Sequence, residues 1–349
     1  MRMITFVRVI RSKIIDSILF VRKLTVSKLF NAAKIIVSYY ISKIFKRAVH
    51  WGKPVSLSIE PTTACNLRCP ECPSGLRSFT RPTGNLKSDF FRHTIDQVSQ
   101  TCCHLTFYFQ GEPFINPDFL QMVRYAGQKG LYTMTSTNAH FLDDQTARDT
   151  VMSGLSRLII SIDGLTQETY QSYRKEGNLQ RVIDGTQRII DWKRKLKSHT
   201  PYVIFQFLVV SSNEHEIPHL HDLADQLGVD EVKIKSAQLY DYKNGHPLMP
   251  ANQKYSRYIQ SGNGTYRLKN EIQNQCWKMW HSAVITWDGV VVPCCFDKDA
   301  RHKMGDLKSK NFSQIWHSTE YLDFRNKILQ DRKSIDICTN CTEGCSVWA

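Results

Sequence analysis

The sequence predicts an α/β fold: a parallel sheet of six strand–helix units, preceded by a helical arm and followed by a small cysteine-rich domain. Three observations carry that prediction. Short apolar runs alternate with longer amphipathic segments from residue 55 to residue 235, and such alternation lays strands side by side in parallel. Residues 1–50 hold 11 Lys and Arg against one acid, Asp16, and contain neither Gly nor Pro. Beyond residue 240 the alternation stops and six of the 11 cysteines follow.

Each element has a local reason. Residues 1–50 read as helix, rich in Ile, Val, Leu and Phe with a cation every few positions. Such a segment suits an anionic membrane surface. It equally suits packing against the protein body or a partner. Trp51-Gly52-Lys53-Pro54 ends it and opens a second segment, residues 51–240. There Val55–Glu60, His104–Phe109, Leu131–Ser136, Arg157–Ile162, Tyr202–Val210 and Glu231–Lys235 read as strands. Ser88–Gln100, Pro117–Lys129, Asp143–Met152, Leu179–Lys197 and Glu214–Leu227 read as the helices between them. The run Leu158-Ile159-Ile160-Ser161-Ile162 suggests a strand buried on both faces, as parallel strands are. The sheet is open or closes into a barrel; either way ligands gather where strands end. Residues 241–349 form the third segment. A loop over 240–275 leads to a hairpin, Ala283–Trp287 and Val290–Pro293, turning at Asp288-Gly289. A helix over Phe312–Leu329 and a cysteine-rich tail follow.

Composition excludes several classes. At 349 residues, 42% hydrophobic and 22% charged, the chain has material for about two domains and is not disordered. The net charge of +14 is mostly the arm's, which leaves +4 for the other 299 residues. That is thin for a surface that tracks nucleic-acid phosphates. The longest uncharged stretch of the arm, Ile35–Ser42, is far shorter than a spanning helix or a secretory signal core needs. A cytoplasmic setting, peripheral at the inner membrane face through the arm, is the expectation. In a reducing compartment, clustered cysteines read as metal ligands rather than disulfides.

The first cluster follows the first strand: Cys65-Asn66-Leu67-Arg68-Cys69-Pro70-Glu71-Cys72. Three thiolates in eight residues can hold one corner of a metal cluster. A zinc site would want a fourth protein ligand nearby, and a [4Fe–4S] cluster held by three leaves one iron open. Cys-x3-Cys-x2-Cys in this place resembles the radical S-adenosylmethionine (SAM) superfamily. The resemblance implies a partial (β/α)6 TIM-like barrel and a [4Fe–4S] cluster whose open iron binds SAM. It also implies reductive cleavage of SAM to a 5′-deoxyadenosyl radical, which takes a hydrogen atom from substrate.

Later strand ends support it. Gln110-Gly111-Glu112-Pro113 resembles the family's Gly-Gly-Glu-Pro element, with Gln110 in place of the first Gly. Glu112 would accept the SAM ammonium. Ser136-Thr137-Asn138-Ala139 resembles a Thr-Asn-Gly turn, with Ala139 in place of Gly. Ser161-Ile162-Asp163-Gly164 matches a family element in which Ser161 and the downstream Arg174 would serve the polar groups of SAM. Gln206 lies where relatives approach ribose and adenine. The implied SAM contacts are thus Gly111, Glu112, Ser136, Asn138, Ser161, Asp163, Arg174 and Gln206. Asp163 can instead cap the following helix, and Asn138 can simply tolerate a left-handed turn. Glu71 departs from the aromatic residue common before the third cysteine. Cys102 and Cys103 read as small buried hydrophobes.

In the tail, Cys276, then Gly289 and, after four intervening residues, Cys294, resemble the opening of SPASM and Twitch domains, which carry auxiliary clusters. The resemblance implies that Cys276, Cys294, Cys338 and Cys341 hold one further [4Fe–4S] cluster, with Cys295 and Cys345 as alternatives. Four thiolates also suit zinc. A fully ligated cluster would act as electron acceptor in an oxidation, and a base would take the proton. Asp297 is the candidate base, with Tyr240, Asp241 and His281 behind it. A reductant such as flavodoxin or ferredoxin would supply the first electron. A non-catalytic iron–sulfur carrier is the competing reading, but it has no need of Gly111, Glu112 and Ser161 at successive strand ends. The substrate stays open: a peptide side chain, a sugar or cyclitol alcohol, or a lipid-linked molecule, towards which the arm leans.

Overall fold

The computed structural model describes residues 2–344, with side chains described from residue 7. Six parallel strands run in sequence order: β1 (Ser56–Ile59), β2 (His104–Thr106), β3 (Tyr132–Thr137), β4 (Arg157–Ser161), β5 (Tyr202–Val209) and β6 (Glu231–Ser236). Helices Ser88–Val98, Phe119–Gln128, Asp144–Met152, Leu179–Lys195 and Ile217–Leu227 fill the crossovers. Their apolar stripes, such as Phe91, Ile95 and Val98 in the first, share one core with Leu105, Leu158, Ile160 and Phe205 of the sheet. Strand β4 is buried on both faces, as its apolar run predicts. The arrangement is the partial TIM-like barrel that the sequence predicts. A helix at Gln167–Tyr173, capped by Thr166, is an addition to that reading.

The region read as a loop over 240–275 contains a hairpin, β7 (Tyr258–Gln260) and β8 (Tyr266–Leu268). Its turn carries Asn263-Gly264, with Gly264 at φ +83°, so the turn chemistry was present in the sequence. Next come β9 (Ser282–Ile285), β10 (Val290–Val292) and β11 (Gly305–Asp306). Strand β9 pairs with β1 in parallel, Ser56 opposite Ser282 through Ile59 opposite Ile285. The tail therefore extends the barrel's own sheet, whose edges are β6 and β11. A buried ion pair fastens this seam. Arg81 holds Glu60 through two hydrogen bonds of 2.6 and 2.8 Å, and Glu60 also accepts from Trp287 N at 3.2 Å. The predicted helix Phe312–Leu329 is two, Phe312–Trp316 and Thr319–Asp331, because Ser318 turns its hydroxyl to cap the second.

The arm is likewise two helices, α1 (Arg2–Val21) and α2 (Val26–Phe45), broken where Thr25 caps α2. Both rest on the N-terminal ends of the barrel strands. Asp16 is 3% exposed and its carboxylate meets Arg157 and the Tyr132 hydroxyl, at the starts of β4 and β3. Lys28 Nζ donates to Gly130 O at 2.7 Å, just before β3. Asn31 Nδ2 donates to Lys53 O at 2.7 Å, before β1. Arg8 reaches Val229 O, before β6, at 3.3 Å. Ile35 and Tyr39 are buried, the Tyr39 ring lying edge-on to Trp277 and Trp280. No helix among the described residues is long and apolar enough to cross a membrane.

Candidate active site

The loop that follows β1 is built to present its cysteines inward. Cys72 N donates to Cys69 O at 3.3 Å, and a short helix, α3 (Pro73–Leu76), starts at once. Glycine is required at 75, since a Cβ there would lie 2.6 Å from both Cys69 N and Cys69 O. The turn after β2 closes over the same loop. Gly111 N donates to Ser74 Oγ at 2.9 Å and Glu112 N to Ala64 O at 2.8 Å. Gly111 has φ +75° and a Cβ would meet Thr62 O at 2.2 Å, so glycine is needed here on both counts.

These segments enclose a cavity of about 180 Å³ lined by Cys65, Cys69, Cys72, Gly111, Glu112, Ser136, Asn138, Ser161 and Arg174. Nine residues predicted from four different strand ends thus meet in one place. Glu112 is buried and accepts from Thr137 Oγ1 and Asn138 N, each at 2.7 Å. Burial pushes its carboxyl up to about 7, against the pull of those hydrogen bonds. Asn138 Nδ2 donates to Asn66 Oδ1 at 2.8 Å, and the Ser136 and Ser161 hydroxyls lie 3.5 Å apart. Arg174 NH1 lies 3.7 Å from Cys69 Sγ.

Two predicted contacts stand elsewhere. Asp163 does not cap a helix and does not line the cavity. Its carboxylate accepts from Arg174 Nε and, at 2.7 Å, from Leu208 N, so it positions the guanidinium instead. Gln206 lies within β5, outside the cavity lining. Ala139 adopts φ +62°, the conformation that the glycine of the resembling turn would take more easily. Glu71 faces away from the cavity towards the segment after β6. It accepts from Tyr240 N at 2.9 Å and lies 3.4 Å from His246 Nε2.

Tyr108, Phe109, Leu67 and Tyr173 also line the cavity and were not singled out by the sequence reading. Tyr108 links two regions. Burial raises its phenol, and so does the negative charge that Cys295 of the tail would carry.

The tail gathers its own thiols around Arg332, a residue with no motif to announce it. Arg332 is buried; it donates to Gln275 O at 2.7 Å, Glu343 O at 2.8 Å and Cys341 Sγ at 3.2 Å. Burial works against its charge, but the facing thiols of Cys276, Cys341 and Cys338 outweigh that and hold its pKa above the usual range. Cys338 and Cys341 share one turn, Cys341 N donating to Cys338 O at 3.1 Å. Cys294 interacts electrostatically with Cys295, Cys276 and Cys341. Cys295 is exposed, and Cys345 lies outside the described residues. The donor sets fit iron–sulfur clusters. Three thiols line the first cavity and four converge on the second centre beside a buried cation. Burial pushes Cys65 and Cys341 up to about 12, so loading either centre must release protons.

Comparison with known proteins agrees. A model of the radical SAM superfamily matches residues 59–224, and one of the SPASM iron–sulfur cluster-binding domain matches residues 276–342. The chain is a radical SAM enzyme with a SPASM domain. Among its relatives is the tungsten-containing aldehyde ferredoxin oxidoreductase cofactor-modifying protein of Pyrococcus furiosus, 24% identical over 82% of this chain and 86% of the relative. The AdoMet-dependent heme synthase of Methanosarcina barkeri is 30% identical, over 50% of this chain and 48% of that protein, so the chain spans about half its length. The structure of Streptococcus suis SuiB bound to S-adenosylmethionine superposes with a TM-score of 0.61 at 14% identity, covering 89% of this chain and 76% of that one. Radical SAM membership brings a [4Fe–4S] cluster and SAM as cofactors, and the SPASM domain brings further iron–sulfur binding.

The candidate bases are separated by the fold. Asp297 lies in a second cavity of about 430 Å³ between the end of the cluster loop and the tail, with Pro73, Ser78, Tyr240 and Asn340. Its carboxylate accepts from Arg301 N at 2.8 Å and His302 N at 2.9 Å, and burial raises its pKa. Tyr240 accepts from Lys298 Nζ at 2.8 Å in the same cavity. Asp241 is exposed. His281 is removed from consideration: it immediately precedes β9, at the far end of the sheet, and burial drives its pKa down to about 3.

Proposed function

We propose that Cys65, Cys69 and Cys72 hold the SAM-binding cluster and that Glu112, Asn138, Ser136, Ser161 and Arg174 seat SAM against it. The observation that carries this is the convergence of those residues, from four strand ends, on one cavity. Bound there, the cluster and SAM supply a 5′-deoxyadenosyl radical. The chain's part is placement. Glu112 offers its carboxylate to the SAM ammonium, Asp163 holds Arg174, and Leu67 and Phe109 keep water out. Asp297, in the cavity between the cluster loop and the tail, is the candidate to take the proton lost in a two-electron oxidation. Cys276, Cys294, Cys338 and Cys341 would hold the auxiliary cluster, which would supply an acceptor for the electron. A low-potential carrier such as flavodoxin or ferredoxin supplies the reducing electron, and the arm holds the chain peripherally at the inner membrane face. The test is anaerobic reconstitution with iron and sulfide, then SAM and dithionite, with 5′-deoxyadenosine as readout. Its formation supports the reading; a loaded protein that never forms it, with or without a photoreductant, favours the carrier.

The buried Glu112 makes SAM affinity depend on pH. Its carboxyl titrates at about 7, so about one-tenth is ionised at pH 6 and about nine-tenths at pH 8. SAM therefore binds about tenfold more tightly at pH 8 than at pH 6. Glu112→Gln weakens binding about 10–100-fold at pH 8, the worth of a charge-assisted hydrogen bond, and flattens the profile. Equilibrium dialysis of the reconstituted protein measures both.

Arg332 tests the second centre. Arg332→Met removes the cation facing Cys276, Cys338 and Cys341, and iron retention at that centre falls about 10–100-fold. Arg332→Lys keeps the charge and retains more. Iron content after graded chelation separates the two variants.

A further inference from the structure

The outward faces of α1 and α2 are apolar and bare. In α1, Val7, Ile10, Ile14, Ile18 and Val21 are exposed at helical spacing. In α2, Val26 is 84% exposed and Ile44 and Phe45 are 72% exposed, with Phe30, Val37 and Tyr40 on the same side. Water-soluble proteins seldom present so continuous an apolar stripe unless something covers it. The charges around it have one sign. Arg11, Lys13, Arg22, Lys34, Lys43 and Lys46 are exposed, whereas the arm's single acid, Asp16, is buried against Arg157. An anionic bilayer meets both demands, burying apolar side chains below the headgroups and pairing cations with phosphates.

We infer that α1 and α2 form a rigid membrane plate that holds the active site facing away from the bilayer. The inference rests on the peripheral-membrane reading above and adds an orientation to it. The described ties from the plate to the body gather on the side where strands begin: Asn31 to Lys53 O, Lys28 to Gly130 O, Asp16 to Tyr132 and Arg157, Arg8 to Val229 O, and Tyr39 against Trp277 and Trp280 just before β9. Every wall of the cysteine cavity comes from the C-terminal side of β1 to β4. Strand β3 has six residues, about 20 Å at about 3.3 Å each, which separates the two ends. A reactive group lodged among lipid headgroups cannot span that gap. The substrate class that fits is a water-soluble molecule, or a group displayed on a long carrier, approaching from the aqueous side. The lean towards lipid-linked substrates is thereby reversed.

The experiment uses the full-length reconstituted protein and vesicles of equimolar phosphatidylglycerol and phosphatidylcholine, against pure phosphatidylcholine. The expected result is co-sedimentation with the first only, weakened at least about tenfold by Lys34→Glu/Lys43→Glu/Lys46→Glu. Ile14→Glu/Phe30→Glu/Ile44→Glu abolishes it. Orientation is read by quenching from phosphatidylglycerol with brominated acyl chains. Read as the difference from the parent protein with its seven tryptophans, the emission added by Ile44→Trp is quenched, and that added by Leu76→Trp, in the helix behind Cys72, is not. Quenching of both overturns the orientation and leaves membrane binding standing. Failure to sediment with either vesicle overturns both, as does a dimer in solution that the glutamate variants dissolve, which would assign the face to a second copy.

Discussion

The triple variant Cys65→Ala/Cys69→Ala/Cys72→Ala forms no 5′-deoxyadenosine and holds about four irons per chain where the wild type holds about eight. The expectation follows from where the three side chains lie. All line the one cavity that also contains Glu112, Ser161 and Arg174. The fold should survive the change. Cys65 and Cys72 are only half-buried, and the loop is held by backbone contacts that alanine keeps: Cys72 N to Cys69 O, Arg68 N to Lys175 O and Glu112 N to Ala64 O. Circular dichroism is therefore expected to match the wild type. The remaining four irons are the informative part. If the wild type holds about four and the variant almost none, the tail carries no cluster and the acceptor mechanism falls. If 5′-deoxyadenosine persists in the variant, the assignment of Cys65, Cys69 and Cys72 falls instead.

The cavity was legible in the sequence because its parts are local. Gly111-Glu112 follows a strand and Ser161 ends one, and the parallel sheet then aligns strand ends without further instruction. What the sequence hid was long-range. Asp16 meets Arg157, 141 positions away, and nothing in the arm's charge pattern marks its one acid as the residue that docks it. Glu71 looks like a lapse from an aromatic position until the segment after β6 folds back and Tyr240 N donates to it. Arg332 sits in a stretch read only as the start of the cysteine-rich tail; its role arises from thiols on two separate turns, Cys276 on one and Cys338 and Cys341 on the other. Tyr108 lies inside the run His104–Phe109 read as strand, two residues past the point where β2 ends at Thr106. Its value comes from facing both the cysteine cavity and Cys295, a relation between two domains. By contrast, the break at Ser318 and the Asn263-Gly264 turn carried readable cap and turn signals, and the reading passed over them.

Cys338→Ala/Cys341→Ala gives the complementary result: about four irons remain, SAM is still cleaved, and the second of two reduced-cluster signals in the electron paramagnetic resonance spectrum disappears. The variant leaves the first cavity untouched, since neither residue lines it. It does disturb Arg332. The guanidinium loses Cys341 Sγ at 3.2 Å and keeps Gln275 O and Glu343 O, and its Nε already has no partner in the described structure. A buried cation short of acceptors costs about 1–3 kcal/mol, so a lower melting temperature is expected as well. That fall could be mistaken for a merely structural role of the two cysteines. Adding Arg332→Met to the double variant separates the effects, because it removes the stranded charge. Melting should then recover while the second signal stays absent. Recovery of both would mean that Cys338 and Cys341 are not cluster ligands. Loss of SAM cleavage in the stabilised triple variant would mean that the tail serves the first step of the reaction and not only the last.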